Sequence, residues 1–122
     1  MDSGQHLDPE IVATLLELAA GDLDFLHDLV ETFVAETTAD LATLPHLFAR
    51  GDAEEVSRLA HRCRGRSANV GALRLAELWE QVRRRGGGGG GSVPRESTAD
   101  LLAALASELV GVASALRRHA PR

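Results

Sequence analysis

The feature that most constrains this chain is one long ladder at helical spacing. Leu26, Val30, Phe33, Val34, Thr37, Leu41, Leu44 and Phe48 recur at three- and four-residue steps, which lines them up along one face of an α-helix. A largely apolar stripe of that length has to be buried against something. Three further stripes supply the partners: Val56, Leu59, Ala60, Cys63, Ser67 and Val70; then Leu75, Leu78, Trp79 and Val82; then Leu101, Leu105, Leu109, Val112 and Leu116. No alternating strand pattern and no internal repeat is visible. Aromatic residues make up only 3% of the chain, so the core must be Leu, Val and Ala, which suits close-packed helices. The expected fold is therefore all-α, an antiparallel up-down-up-down four-helix bundle formed by residues 1–122 as one domain.

Local signals place the helix ends. Asp8-Pro9-Glu10 combines an N-cap, a first-turn proline and a first-turn acid, opening a helix that Gly21 stops. That helix is too short for a bundle member, so it should lie across one end, preceded by a flexible tail over residues 1–7. Asp22 caps the second helix, running to about Arg50, and Pro45 should kink it near Leu41–Leu44, leaving open whether it is one helix or two. Gly51-Asp52 ends it and caps the third, which spans about Asp52 to Asn69. Gly71 supplies a left-handed residue before a fourth helix at about Ala72 to Arg85. Trp79, whose indole N–H needs a partner, is expected at the edge of the bundle. Residues 86–92, six glycines and a serine, read as a flexible coil spanning roughly 15 Å to a last helix from about Pro94 to His119. No strand precedes the glycines and no Lys-Ser/Thr pair follows, so they do not read as a phosphate cradle.

Net charge is −5 but uneven. Residues 1–55 hold thirteen acids and one Arg, whereas residues 56–85 hold eight Arg against two Glu, predicting a locally positive face on an acidic protein. That acidic first half argues against nucleic acid as a partner. No apolar run reaches the roughly 18–20 residues of a membrane span, and the N-terminus lacks the basic and apolar regions of a signal peptide. A cytoplasmic, membrane-free monomer is the expectation. The single cysteine, Cys63, cannot form an internal disulfide and reads as a small core residue. All thirteen basic residues are Arg, to which no function is attached.

The third helix carries the chemistry. His61 falls about 140° from the centre of the stripe formed by Val56, Leu59, Ala60, Cys63, Ser67 and Val70, so its ring should point to solvent. Its outer-face neighbours are small: Ser57 one turn back, Gly65 one turn on, Ala68 two turns on. An interior glycine costs a helix about 1 kcal/mol relative to Ala, which makes sense of Gly65 if something must approach closely beside His61. Arg64 stands at i+3. Together these suggest a nucleophile offered to another macromolecule. His6 lies in the tail, His27 and His46 lack small surroundings, and His119 is near a fraying end.

The run His61-Arg62-Cys63-Arg64-Gly65-Arg66-Ser67-Ala68-Asn69-Val70-Gly71 resembles the histidine-containing phosphotransfer (HPt) domains of bacterial multistep phosphorelays. The family pattern is His, any residue, an apolar residue, Lys, Gly, then small residues and a further Gly. Cys63 stands where Leu is usual and Arg64 where Lys is usual, both keeping the physical character. The resemblance runs from about Leu7 to His119. It implies that His61, through Nε2, accepts a phosphoryl group from the phospho-aspartate of a receiver domain or from a sensor histidine kinase, and passes it to a response-regulator receiver. It implies no catalytic cycle and no bound cofactor, the Mg²⁺ belonging to the receiver. Arg64 would stabilise the phosphoryl group and Gly65 would admit the partner. Related domains use an amide or carboxyl on the following helix to orient the imidazole; Arg83 falls at that place, with Glu80 one turn earlier, so these two are the candidates for imidazole or phosphoryl contacts. Arg83 has nothing with which to accept a hydrogen bond. The competing reading is a catalytically silent helical module that holds an acidic protein through its Arg-rich face. A metal site is least favoured, since His61 and Cys63 point in different directions and lack further ligands.

Overall fold

In the computed structural model, residues 6–86 and 95–121 are described, with the side chains of residues 95–97 excepted. Five helices follow one another: α1 (Pro9–Ala19), α2 (Leu23–Arg50), α3 (Ala53–Asn69), α4 (Leu73–Gly86) and α5 (Arg95–His119). Among the described residues there is no strand. The three aspartates predicted as caps do cap: Asp8 accepts from the Glu10 amide at 2.9 Å, Asp22 from Phe25 at 2.9 Å, and Asp52 from Glu55 at 3.3 Å. Each such cap stabilises its helix by about 1 kcal/mol. Left-handed residues end the first three helices: Ala20 ahead of Gly21, Gly51, and Gly71 at φ +81°. Pro45 does not split α2, which continues through it as one helix with the ring exposed.

The stripes pack together as their spacing requires. Every predicted residue of the α3 stripe is buried, as are all five of α5 and all four of α4. α3 packs against α2 and α4, and α5 against α2 and α4. Trp79 departs from expectation. It is not at an edge but fully buried, and its Nε1 has no hydrogen-bond partner among the described residues. Such an orphan donor costs about 1–3 kcal/mol, and burial of the large ring offsets it. Ser67 is likewise buried with its hydroxyl unpaired, in keeping with its place on the packing stripe.

The N-terminal segment is more ordered than a tail. Leu7 is buried, the Asp8 amide donates to the Gly71 carbonyl at 2.8 Å, and His6 Nδ1 lies 3.0 Å from Glu108 on α5. The His6 ring sits directly on Gly111, where any Cβ would collide with it. Glu108 is buried and also receives Arg74 of α4 at 3.3 Å. Residues 6–7 therefore correct the expected tail, while residues 1–5 lie outside the described part. Of the predicted coil, Gly86 closes α4 and packs so tightly that a Cβ there would approach Phe48 and Val56 to 2.6 Å; residues 87–92 lie outside the described part. A second correction concerns α5. Thr98–His119 is long and apolar enough, by length and composition, to cross a membrane. Its Ala and Val residues extend apolarity beyond the stripe, but Leu101, Leu105, Leu109, Val112 and Leu116 are spent on the protein core.

Candidate functional site

α3 turns one face inward and leaves the opposite face to solvent. His61 follows the fully buried Ala60 and precedes the fully buried Cys63 by two positions, and its side chain is exposed. Among the described residues no side chain hydrogen-bonds its ring. One turn on, Gly65 is also exposed, and a Cβ built there would meet nothing within 4 Å. Internal packing therefore does not require this glycine, although a helix interior disfavours it. The ground beside the imidazole is open.

Arg64 is 53% exposed and, among the described residues, makes a single long contact, Nη1 to Glu80 Oε1 at 3.4 Å. Glu80, on α4, is held far more firmly by Arg83: Nε reaches Oε1 at 3.0 Å and Oε2 at 3.1 Å, and Nη2 reaches Oε2 at 2.6 Å. Hydrogen bonding from Arg83 holds the Glu80 carboxyl below the usual range despite its partial burial, with Arg64 adding to the effect. The same pairing raises Arg83. Neither Glu80 nor Arg83 hydrogen-bonds the His61 ring, so both predicted residues are brought together with Arg64 rather than with the imidazole. Two guanidinium groups share one carboxylate here, leaving an excess positive charge on the flank of His61.

On the other side of α3, Asp40 of α2 gathers three donors: Arg66 at 3.0 Å, Arg62 at 3.3 Å and the Cys63 thiol at 3.3 Å. Burial works to raise Asp40, but these hydrogen bonds outweigh it and hold the carboxyl below its ordinary value. Cys63 responds oppositely. Burial, then the Asp40 charge, push its thiol up to about 12, so it stays protonated and inert at neutral pH. The role of Asp40 is not legible in the sequence. Its only signal was an acid flanking the α2 stripe, three residues past Thr37, and no spacing rule says that α3 would bring arginines to it.

The eight arginines of residues 56–85 do not form a free cationic face. Arg58 is paired with Glu54 and Glu55, Arg62 and Arg66 with Asp40, Arg66 also with Glu36, Arg74 with Glu108 and Arg84 with Glu77. Most of those acids come from the strongly acidic first half, so folding cancels much of the asymmetry seen along the chain. The Arg64–Glu80–Arg83 trio is where a surplus stays beside His61. Among the described residues no group of three or more His, Cys, Asp or Glu could hold a metal ion.

Comparison with known proteins bears on this arrangement. No curated protein matches the chain. Among solved structures, the chain is similar to the crystal structure of histidine-containing phosphotransfer protein B (HptB) from Pseudomonas aeruginosa PAO1, with a TM-score of 0.74 and 24% identity over 93% of each chain; at that identity the likeness establishes the fold. The family model for the Hpt domain matches residues 28–115, which contain α3, α4 and nearly all of α2 and α5. With most of its length matched, the chain belongs to the Hpt domain family, whose members are phosphorelay phosphotransfer proteins.

Proposed function

We propose that the chain is a phosphorelay intermediate that accepts a phosphoryl group on His61 and passes it to a response-regulator receiver. The observation that carries this reading is an imidazole exposed midway along α3, without a hydrogen-bond partner among the described residues, with open ground at Gly65 and a cation at Arg64. The donor is the phospho-aspartate of a receiver domain or a sensor histidine kinase. The scaffold is a single antiparallel up-down-up-down bundle. In support, rising numbers on α2 meet falling numbers on α3 (Glu36 with Arg66, Asp40 with Arg62), and Glu31 near the start of α2 pairs with Arg117 near the end of α5.

Phosphoryl transfer has a loose transition state with charge on the equatorial oxygens, so positioning and cations matter more than a protein base. Nε2 projects furthest from the helix and attacks with its lone pair, the ring proton being on Nδ1. The Nε2–P bond forms as the aspartyl O–P bond breaks, and the carboxylate leaves with the bonding electrons. No proton has to be removed from Nε2, which suits a site without a neighbouring base. Arg64 offers its planar fork to two phosphoryl oxygens, and Gly65 lets the receiver surface approach. The receiver brings the Mg²⁺, and the chain itself needs no cofactor and turns over no substrate of its own.

The test is incubation with a panel of phosphorylated receivers from the same genome, read as acid-labile label on His61. Wild-type protein should take label and His61→Gln should not. Label reaching both equally, or neither, would overturn the reading and leave a helical interaction module in its place.

A further inference from the structure

Arg64 is not idle in the resting site; it already leans on an anion. Its contact with Glu80 is one nitrogen at 3.4 Å, while Arg83 grips the same carboxylate through two nitrogens at 2.6–3.1 Å. The two arginines thus hold Glu80 unequally. Losing Arg64 would leave Glu80 fixed in place by Arg83 within the same helix; losing Arg83 would leave it on one long contact. Arg64 is also the more exposed of the two, 53% against 40% for Arg83, and it stands one turn from His61. A phosphoryl group on that ring would bring about −1.5 to −2 charges and three strong acceptor oxygens, against a single negative charge already shared with Arg83.

Resting on the phosphoacceptor reading above, we propose that Glu80 is a positioning residue that parks Arg64 beside His61 and yields it to the phosphoryl group, Arg83 keeping Glu80 anchored throughout. Phosphorylation then exchanges one ionic contact for another without moving either helix. Glu80 competes with the phosphoryl group for the same guanidinium, so it lowers the equilibrium phosphorylation of His61 while keeping Arg64 from swinging into solvent. The residue that a ring-orienting role would assign to the imidazole acts instead on the cation.

The competition is measurable as the equilibrium distribution of label between the chain and the panel receiver that labels it best. Glu80→Gln removes the competing charge; Arg64 is half exposed and its contact is long, so the pair is worth about two- to fivefold in an equilibrium constant, and the ratio of phosphorylated to unphosphorylated chain should rise by about that factor. In an Arg64→Ala background the same Glu80→Gln change should have no effect, because there is no guanidinium left to release. Nitrogen-15 spectra should show the Arg64 Nε resonance moving on phosphorylation while that of Arg83 stays. An equal shift in both backgrounds would mean that Glu80 acts by through-space repulsion, and no shift in either would mean that it acts only on the fold; either result overturns the exchange. Absence of His61-dependent label in the wild type would instead overturn the phosphoacceptor reading and this proposal with it. Thermal melting of each variant separates loss of folding from these outcomes.

Discussion

His6 and His61 show what the fold does with the same side chain in two settings. The ring of His6 is laid on Gly111, and its Nδ1 meets the buried Glu108. The ring of His61 touches no hydrogen-bonding side chain among the described residues and overlooks a glycine with nothing around it. Both rings have a glycine neighbour, but the two glycines do opposite things. At Gly111 the missing side chain is filled by the protein itself; at Gly65 it is left for something outside. A histidine tied into the fold is structural, and one that the fold has declined to tie down is available for chemistry.

The sharpest way to break this contrast is to delete each ring. His61→Gln should abolish acid-labile labelling while leaving the thermal midpoint within a degree or two, since an exposed substitution alters stability by no more than about 0.5 kcal/mol. His6→Gln should do the reverse, keeping the label and lowering the midpoint. A larger structural effect is expected at the acid beneath His6. Glu108→Ala strands the largely buried His6 ring, while Arg74 is left to solvent, and should cost about 1–3 kcal/mol in denaturant unfolding, again without loss of label. Loss of label in either N-terminal variant would mean that the two regions are not separable.

The difference between the two histidines also marks what could be read from the chain alone. The position of His61 follows from local periodicity: once Ala60 and Cys63 are assigned to the buried stripe, a residue between them has only the outer face left. The caps at Asp8, Asp22 and Asp52 are equally local and needed nothing but their own turn. His6 reads from the sequence as part of a tail because its partner lies 102 positions along the chain. The same holds for Asp40 and its arginines, 22 to 26 positions away, and for Trp79, which lies fully buried where its unpaired N–H argued for an edge. Local spacing says which face of a helix a residue occupies. It does not say which residue of another helix will face it, and the pairing of Glu80 with Arg83 and Arg64 is of both kinds: three residues away along α4 in one case, across the α3–α4 contact in the other.

Smaller effects sharpen the comparison of the two glycines. Gly111→Ala must displace the His6 ring and should loosen the N-terminal segment, seen as faster amide exchange at Leu7 and Asp8. Gly65→Ala meets no obstacle and should stabilise α3 by up to about 1 kcal/mol. If the open ground serves a docking partner, Gly65→Ala should nevertheless slow transfer from a phosphorylated receiver while leaving labelling by the small donor phosphoramidate unchanged. Equal slowing with both donors would place the defect in the histidine rather than in access to it.

The smallest effect concerns acid. Hydrogen bonds from Arg66, Cys63 and Arg62 keep the Asp40 carboxyl below its ordinary value in spite of burial. A carboxyl depressed in the folded state stabilises the protein above its unfolded-state value and loses that contribution as pH falls through the folded one. Wild type should therefore be more stable than Asp40→Asn at pH 7, and the gap should narrow as the pH is lowered below about 4. Because Asp40 ties α2 to α3 through Arg62, Cys63 and Arg66 and makes no hydrogen bond to His61, the narrowing should appear in unfolding curves and not in the extent of labelling. A parallel loss of label would mean that the α2–α3 seam helps to aim the imidazole, and the two faces of α3 would then have to be treated as one device.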